Sequence, residues 1–246
     1  MKYIVYILFF FPVWVTAQTY KYIGIEDGLS NRRIFNIQKD AQGYMWFLTN
    51  EGMDRYNGKD IKHYKLNKEG NTLDAPIRLG WLYTEPHIGI WVIGKQGRIF
   101  QYDANKDDFR MVYRLPDTSE TISCGYLDRN NNIWLCRKDT VLLYNIKDAR
   151  IFQFPNVLHS SITAIEQVDE HHFFIATEAG VRYVKQENNV LEIIPVETLD
   201  YFHAQVSELY FHQQLKRLFI GSFEEEFLCM IRIRRKLYGR TLTLVT

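Results

Sequence analysis

Asp40-Ala41-Gln42-Gly43-Tyr44-Met45-Trp46-Phe47-Leu48-Thr49-Asn50-Glu51-Gly52-Met53-Asp54-Arg55-Tyr56 reads as a polar turn, an apolar strand led by tryptophan, a glycine turn and a second strand closing on tyrosine. Aspartate suits the first position of a type I turn, and Gly43 suits the left-handed residue that closes a three-residue hairpin loop. Trp46 to Thr49 has the aromatic and β-branched character of a half-buried pleated surface. Gly52 can take the positive φ that a tight turn between such strands requires. The stretch predicts two antiparallel strands.

The same order of residues recurs along the chain. Aromatic-led segments start at Trp46, Trp91, Trp134, Phe174 and Phe219, spaced 45, 43, 40 and 45 residues apart. A glycine lies six residues later at Gly52, Gly97 and Gly180, with Thr140 in that place in the third unit. A tyrosine follows at Tyr56, Tyr102, Tyr144 and Tyr183. In the third unit the turn before the aromatic is Asp128-Arg129-Asn130-Asn131, where Asn131 replaces glycine because asparagine tolerates the left-handed region. This period of about forty residues suits a propeller blade. Each unit also needs a variable outer strand, and 61–66, 109–115 and 190–196 supply them. A lone four-stranded sheet cannot cover both of its apolar faces, so the units must stack face to face. Trp46, Trp91 and Trp134 are assigned to that contact layer rather than to ligand stacking. The expected fold is all-β, a partial β-propeller of four-stranded antiparallel blades, about four complete and a fifth broken.

Composition agrees with this reading. Aromatic residues make up 15% of the 246, which favours strands over helices. Thirty basic and twenty-nine acidic side chains give a formal charge of +1, with no overall pull toward nucleic acid or an anionic membrane. Residues 1–17 read as a secretory signal peptide: Lys2, an apolar run, then a small residue at Ala17. The run is too short for a membrane helix, and no later stretch is apolar enough to span a bilayer, so a periplasmic location without a membrane span is expected. The segment from Thr19 to Glu26 is expected to be a strand that completes another blade.

The opening unit resembles the two-component regulator propeller repeats of periplasmic sensor domains in hybrid histidine kinases of Bacteroidetes. The resemblance rests on Asp27-Gly28-Leu29-Ser30-Asn31, the Asp40 to Gly43 turn, Trp46 to Thr49 and Gly52 to Gly58, and covers 18–222 more loosely. It implies two stacked propellers, an immunoglobulin-like domain, one membrane helix, a kinase, a receiver and a DNA-binding domain, with glycans or their breakdown products as the signal. The sequence shows none of the later modules, which makes the chain a truncated ligand-sensing module on this reading. A secreted propeller scaffold for protein partners, and a non-functional gene remnant, stand as alternatives. Self-association through uncapped blades is a further expectation.

Residues 223–246 break the pattern. Glu224-Glu225-Glu226 stands where the repeat calls for glycine, Cys229 where it calls for tyrosine, and the basic tail from Arg232 to Arg240 contains no acidic residue. This is read as an aberrant tail. No catalytic motif, cofactor signature or metal-ligand spacing emerges, so no enzyme is expected, and the ligand-binding residues stay unknown. The loops 67–75, 116–120 and 156–161 are candidates because propellers bind with the loops at a face. If Asp128 pairs with Asn132 across its turn, Cys124 faces Cys136, either as a disulfide or as two reduced neighbours.

Overall fold

The computed structural model describes residues 21–66, 79–117, 119–196 and 206–222, together with the backbone of the strands at 228–234 and 241–245. The expected signal peptide at 1–17 and the loop 67–75 lie outside the described residues.

Among the described residues, twenty strands form five four-stranded antiparallel sheets whose strand order follows the chain. The first sheet holds β1 (Ile34–Lys39), β2 (Met45–Thr49), β3 (Gly52–Tyr56) and β4 (Ile61–Tyr64). The second holds β5 (Leu79–Glu85), β6 (Gly89–Gly94), β7 (Arg98–Asp103) and β8 (Asp108–Arg114). The third holds β9 (Cys124–Leu127), β10 (Asn132–Cys136), β11 (Thr140–Asn145) and β12 (Ile151–Pro155). The fourth holds β13 (Ile162–Gln167), β14 (His172–Thr177), β15 (Gly180–Glu187) and β16 (Val190–Ile194). The fifth holds β17 (Val206–His212), β18 (Arg217–Ser222), β19 (Leu228–Arg234) and β20 (Thr241–Val245).

The repeated aromatics are the contact layer between sheets. Trp46 shares a buried cluster with Leu82, Val92 and Phe100 of the second sheet. Trp91 lies with Leu127, Ile133 and Leu135 of the third. Trp134 packs with Phe173 and Ile175 of the fourth, with the Trp134 and Phe173 ring centres 4.9 Å apart. Phe174 packs with Phe211 and Leu218 of the fifth. Each unit thus fills the interface to its successor with the ring that opens its second strand.

The first strands of successive sheets, β1, β5, β9, β13 and β17, lie side by side, so they form the inner edge. In four of them the register slips by one residue near the start, at Ile34/Asn36, Leu79/Trp81, Ile162/Ala164 and Val206/Glu208. Just before β9, the Ser123 N–H donates to the Cys136 carbonyl at 2.9 Å. A bulge at this point increases local twist, which splays the inner strands around a common axis. Hydrogen bonds also cross between neighbouring inner strands, Thr84 Oγ1 to the Lys39 carbonyl at 3.0 Å and Tyr83 hydroxyl to the Gly125 carbonyl at 2.9 Å, and between the turns that follow β17 and β13, Gln213 Nε2 to the Val168 carbonyl at 2.9 Å.

The turn chemistry matches the sequence reading. Gly43, Gly52, Gly97 and Gly180 all have positive φ, and Asn131 has φ 64°. Two expectations need correction. The described part of the Thr19 to Glu26 segment is not a strand: Ile25–Asp27 is a 3-10 turn whose Gly24 N–H is capped by Asp27 Oδ2 at 2.9 Å. The segment closes locally because Asp27 competes for the backbone that a sheet would need. Strand pairing also continues beyond residue 222, through β19 and β20, although the repeat signature stops there. Alternating apolar and basic residues in β19, and alternating threonine and leucine in β20, satisfy strand propensity without the glycine and tyrosine of the other units.

Candidate functional site

The turns joining first to second strands and third to fourth strands lie at one end of the sheets. Between the first and second sheets they enclose a cleft of about 280 Å³. Asp40, Gln42, Tyr44 and Arg55 line it from the first sheet; Thr84, Glu85, Pro86, Ile90 and Tyr102 line it from the second.

Asp40 anchors the first wall. Its Oδ1 accepts the N–H groups of Gln42 at 3.0 Å and Tyr44 at 2.9 Å, and its Oδ2 accepts the Trp46 indole N–H at 2.7 Å. The aspartate that starts the turn therefore also fixes the buried ring behind it. Arg55 lies 4.9 Å from the Tyr44 ring centre and 5.5 Å from those of Trp46 and Tyr64, an aromatic seat for a guanidinium.

The far wall is tied on by Asp107, in the turn between β7 and β8. Arg55 Nη1 reaches its Oδ1 at 2.8 Å, Lys62 Nζ its Oδ2 at 2.5 Å, and the hydroxyls of Tyr64 and Tyr102 its Oδ1 at 2.8 and 2.5 Å. Partial burial alone would raise the Asp107 carboxyl, but hydrogen bonds from Lys62, Tyr102, Tyr64 and Arg55 hold it well below the usual carboxylate range. Burial and the same carboxylate push the Tyr64 phenol well above its ordinary value. Asp107 has φ 48°, which aspartate tolerates better than most residues.

At the opposite end of the first sheet, Ser30 meets Asp54. Ser30 N–H and Oγ both donate to Asp54 Oδ2, at 2.8 and 2.9 Å, while His63 Nδ1 lies 2.7 Å from Asp54 Oδ1. The carboxylate sits between the hydroxyl and the imidazole, so the histidine does not face the serine. A nucleophilic serine needs the histidine in the middle. This set latches the segment before β1 onto the first sheet.

The described residues of the candidate loops 116–120 and 156–161 lie at this end, away from the cleft. The Asn156 amide is consumed locally, donating to the carbonyls of Lys138 at 2.8 Å and Ser160 at 2.9 Å. Sequence reasoning missed the cleft, since its walls come from separate units. Cys124 and Cys136 are brought together as register partners, and both are buried.

Residues 28–51 match the family model described as two component regulator propeller. This stretch is similar to one repeat of such a propeller. That repeat contains Ser30 of the latch, Asp40 and Tyr44 of the cleft and the Trp46 ring behind them. The fold is similar to the extracellular domain assigned to a hybrid two component system of B. thetaiotaomicron, at 17% identity and a TM-score of 0.65, over 90% of this chain and 31% of that one. The chain thus spans about a third of that domain. Virginiamycin B lyase from Staphylococcus aureus is similar at 14% identity and a TM-score of 0.61, over 85% of this chain and 69% of that one. PorZ, a bacterial surface component of the type-IX secretion system of Porphyromonas gingivalis, is similar at 13% identity and a TM-score of 0.60, over 80% and 32%. At these identities the likeness establishes the propeller fold. Among curated proteins, none matches the sequence.

One carboxyl at the inner edge is set apart by its surroundings. Burial pushes Glu166, on β13, up to about 7, against the Phe211 N–H and the Arg129 charge, which both favour the ionised form. A carboxyl raised in the folded state stabilises below its unfolded value near 4.5, and that contribution is lost as pH rises through about 7. Glu166→Gln should therefore gain stability over the parent by about 2 kcal/mol between pH 5 and pH 8. Melting both proteins at the two pH values checks this; a gain of equal size at each pH would refute it.

Proposed function

We propose that this chain is a ligand-sensing propeller module from the periplasmic part of a hybrid two-component system, and that it reads a glycan or oligosaccharide without transforming it. The observation that carries the sensor reading is the regulator propeller repeat at 28–51 on a propeller fold. Export through residues 1–17 accords with it, and among the described residues no helix is long and apolar enough to cross a membrane.

The ligand chemistry is read from the cleft. Tyrosine rings at Tyr44 and Tyr102 offer apolar faces to the C–H face of a sugar, while Arg55, Gln42 and Glu85 offer donors and acceptors to its hydroxyls. At about 280 Å³ the cleft lies at the small end of ligand pockets, which begin near 300 Å³, so it suits the end of a chain. Asp40 spends its acceptor positions on the turn and on Trp46, which leaves it in the wall and out of proton transfer.

Calorimetry of the whole chain against a panel of oligosaccharides tests the proposal. Binding should appear for at least one sugar and weaken about tenfold or more in Tyr44→Ala, with melting unchanged to within a few degrees. Equal binding by both proteins would remove the cleft from the reading. Silence across the panel would remove the sugar and favour the scaffold alternative.

A further inference from the structure

The five sheets share one structurally equivalent pair of positions. It comprises the second residue beyond the leading aromatic and its register partner on the inner strand. The pairs are Asn36 with Leu48, Trp81 with Ile93, Cys124 with Cys136, Ala164 with Ala176, and Glu208 with Gly221. The position accepts an amide, an indole, two methyl groups or a carboxylate, so the fold does not demand sulfur. Two of the three cysteines of the chain nonetheless fall on this one pair.

We propose that Cys124 and Cys136 form a disulfide that fastens the inner hairpin of the third sheet, and that it forms during folding and is shielded once the fold is complete. The proposal needs only a compartment that supplies a disulfide oxidant, and does not rest on the ligand reading.

Three observations support it. Directly opposed residues in an antiparallel pair lie about 4.5–5.5 Å apart at Cα, inside the range that a disulfide spans. The Ser123 N–H donates to the Cys136 carbonyl at 2.9 Å, which holds the register where the pair sits. Both are buried in the cluster of Trp134, Val141, Ile162 and Phe173 that joins the third sheet to the fourth. Among the described residues no group of three metal-ligating side chains includes them, so the pair is not explained as part of a metal site.

The chemistry dictates the order of events. The thiolate of one cysteine attacks a sulfur of the oxidant, a small-molecule or protein disulfide, which releases one oxidant thiolate and leaves a mixed disulfide. The second cysteine thiolate attacks the cysteine sulfur of that intermediate and releases the other half of the oxidant. Two electrons and two protons pass from the pair to the oxidant, which ends as two thiols. In the folded chain, burial pushes the Cys136 thiol well up and buries it away from the oxidant, so the reactive thiolate is scarce. In the unfolded chain neither restraint applies. The bond therefore closes early or hardly at all.

The test uses the full chain carrying Cys229→Ser, so that only this pair can react. It is refolded from guanidinium with oxidised and reduced glutathione, then unfolded in N-ethylmaleimide and weighed intact. The expected product lacks two hydrogens and carries no maleimide. Reduced, already folded protein given the same glutathione mixture should form the bond at least about tenfold more slowly. Two maleimides per chain after oxidative refolding, or a stable glutathione adduct, would overturn the disulfide. Equal rates for folded and unfolded protein would overturn the shielding. If refolding gives no soluble protein, material exported into a bacterial periplasm is alkylated and weighed in the same way, and the same adduct counts decide.

Discussion

Gly52→Ala is expected to lower the unfolding free energy by about 3 kcal/mol, more than a turn glycine usually carries. Gly52 has φ 140°, a region that side chains rarely enter. A Cβ there would also run into the Tyr64 backbone carbonyl, with His63 Cε1 at 3.1 Å beside it. Tyr64 is held in turn by Asp107 and by the Trp46 ring, 5.5 Å away between centres. The carbonyl can therefore give way only by loosening β4 from the interface with the second sheet. Gly43 is the control in the same sheet. It has φ 92° but nothing within 4 Å of a built Cβ, so Gly43→Ala should cost only the backbone term of about 1 kcal/mol. Denaturant unfolding of both variants measures the difference. Equal losses would mean that φ alone matters and that the packing argument is wrong.

The contrast shows what could be read from residue order. That Gly52, Gly97 and Gly180 adopt positive φ was legible, because glycine six residues after an aromatic repeats with the period. That Gly52 is sterically obligatory while Gly43 is not depends on what the neighbouring strand places above each, and spacing carries no such information. The same limit hid the cleft. Tyr44 and Arg55 lie in the opening motif, yet their partners Tyr102 and Asp107 belong to the next unit, and only the stacking of sheets brings them together. The Cys124 and Cys136 pairing was legible because it is local, a consequence of one hairpin register set by the Asp128 turn. The continuation of the fifth sheet was not, because strand pairing there needs only propensity and a free edge.

The weakening of the motif along the chain has a physical cause that follows from the aspartate. In the first and third units the turn aspartate accepts the indole N–H of the tryptophan six residues later, Asp40 from Trp46 and Asp128 from Trp134. In the second unit the Trp91 N–H goes to the Ile88 carbonyl at 2.8 Å, and no acidic residue is needed. In the fourth the ring is Phe174, which has no N–H, and Asp169 turns to His172 Nδ1 at 2.7 Å. The aspartate and the indole are thus one device in the first and third units, and the aspartate is free to vary where the indole is absent or finds a backbone carbonyl.

That device makes Asp128→Ala the second large expected effect, a loss of about 3 to 4 kcal/mol. Asp128 is almost fully buried and accepts from four donors: the N–H groups of Asn130 at 2.9 Å and Asn132 at 2.8 Å, Asn132 Nδ2 at 3.1 Å and Trp134 Nε1 at 2.9 Å. Alanine leaves the indole N–H buried with no acceptor, at a cost of about 1–3 kcal/mol for that group alone, and loosens the turn as well. Asp40→Ala should cost less, about 1 to 2 kcal/mol, because Asp40 borders the open cleft and water can replace its acceptor oxygens. Trp134→Phe separates the two contributions: it removes the donor and keeps the carboxylate. In a double-mutant cycle Asp128→Ala and Trp134→Phe should be coupled by at least about 1 kcal/mol, since the second variant no longer has an N–H to strand. Additive losses in denaturant unfolding would show that the aspartate acts on the turn alone. The recurrence of aspartate and tryptophan would then reflect two independent demands of the blade.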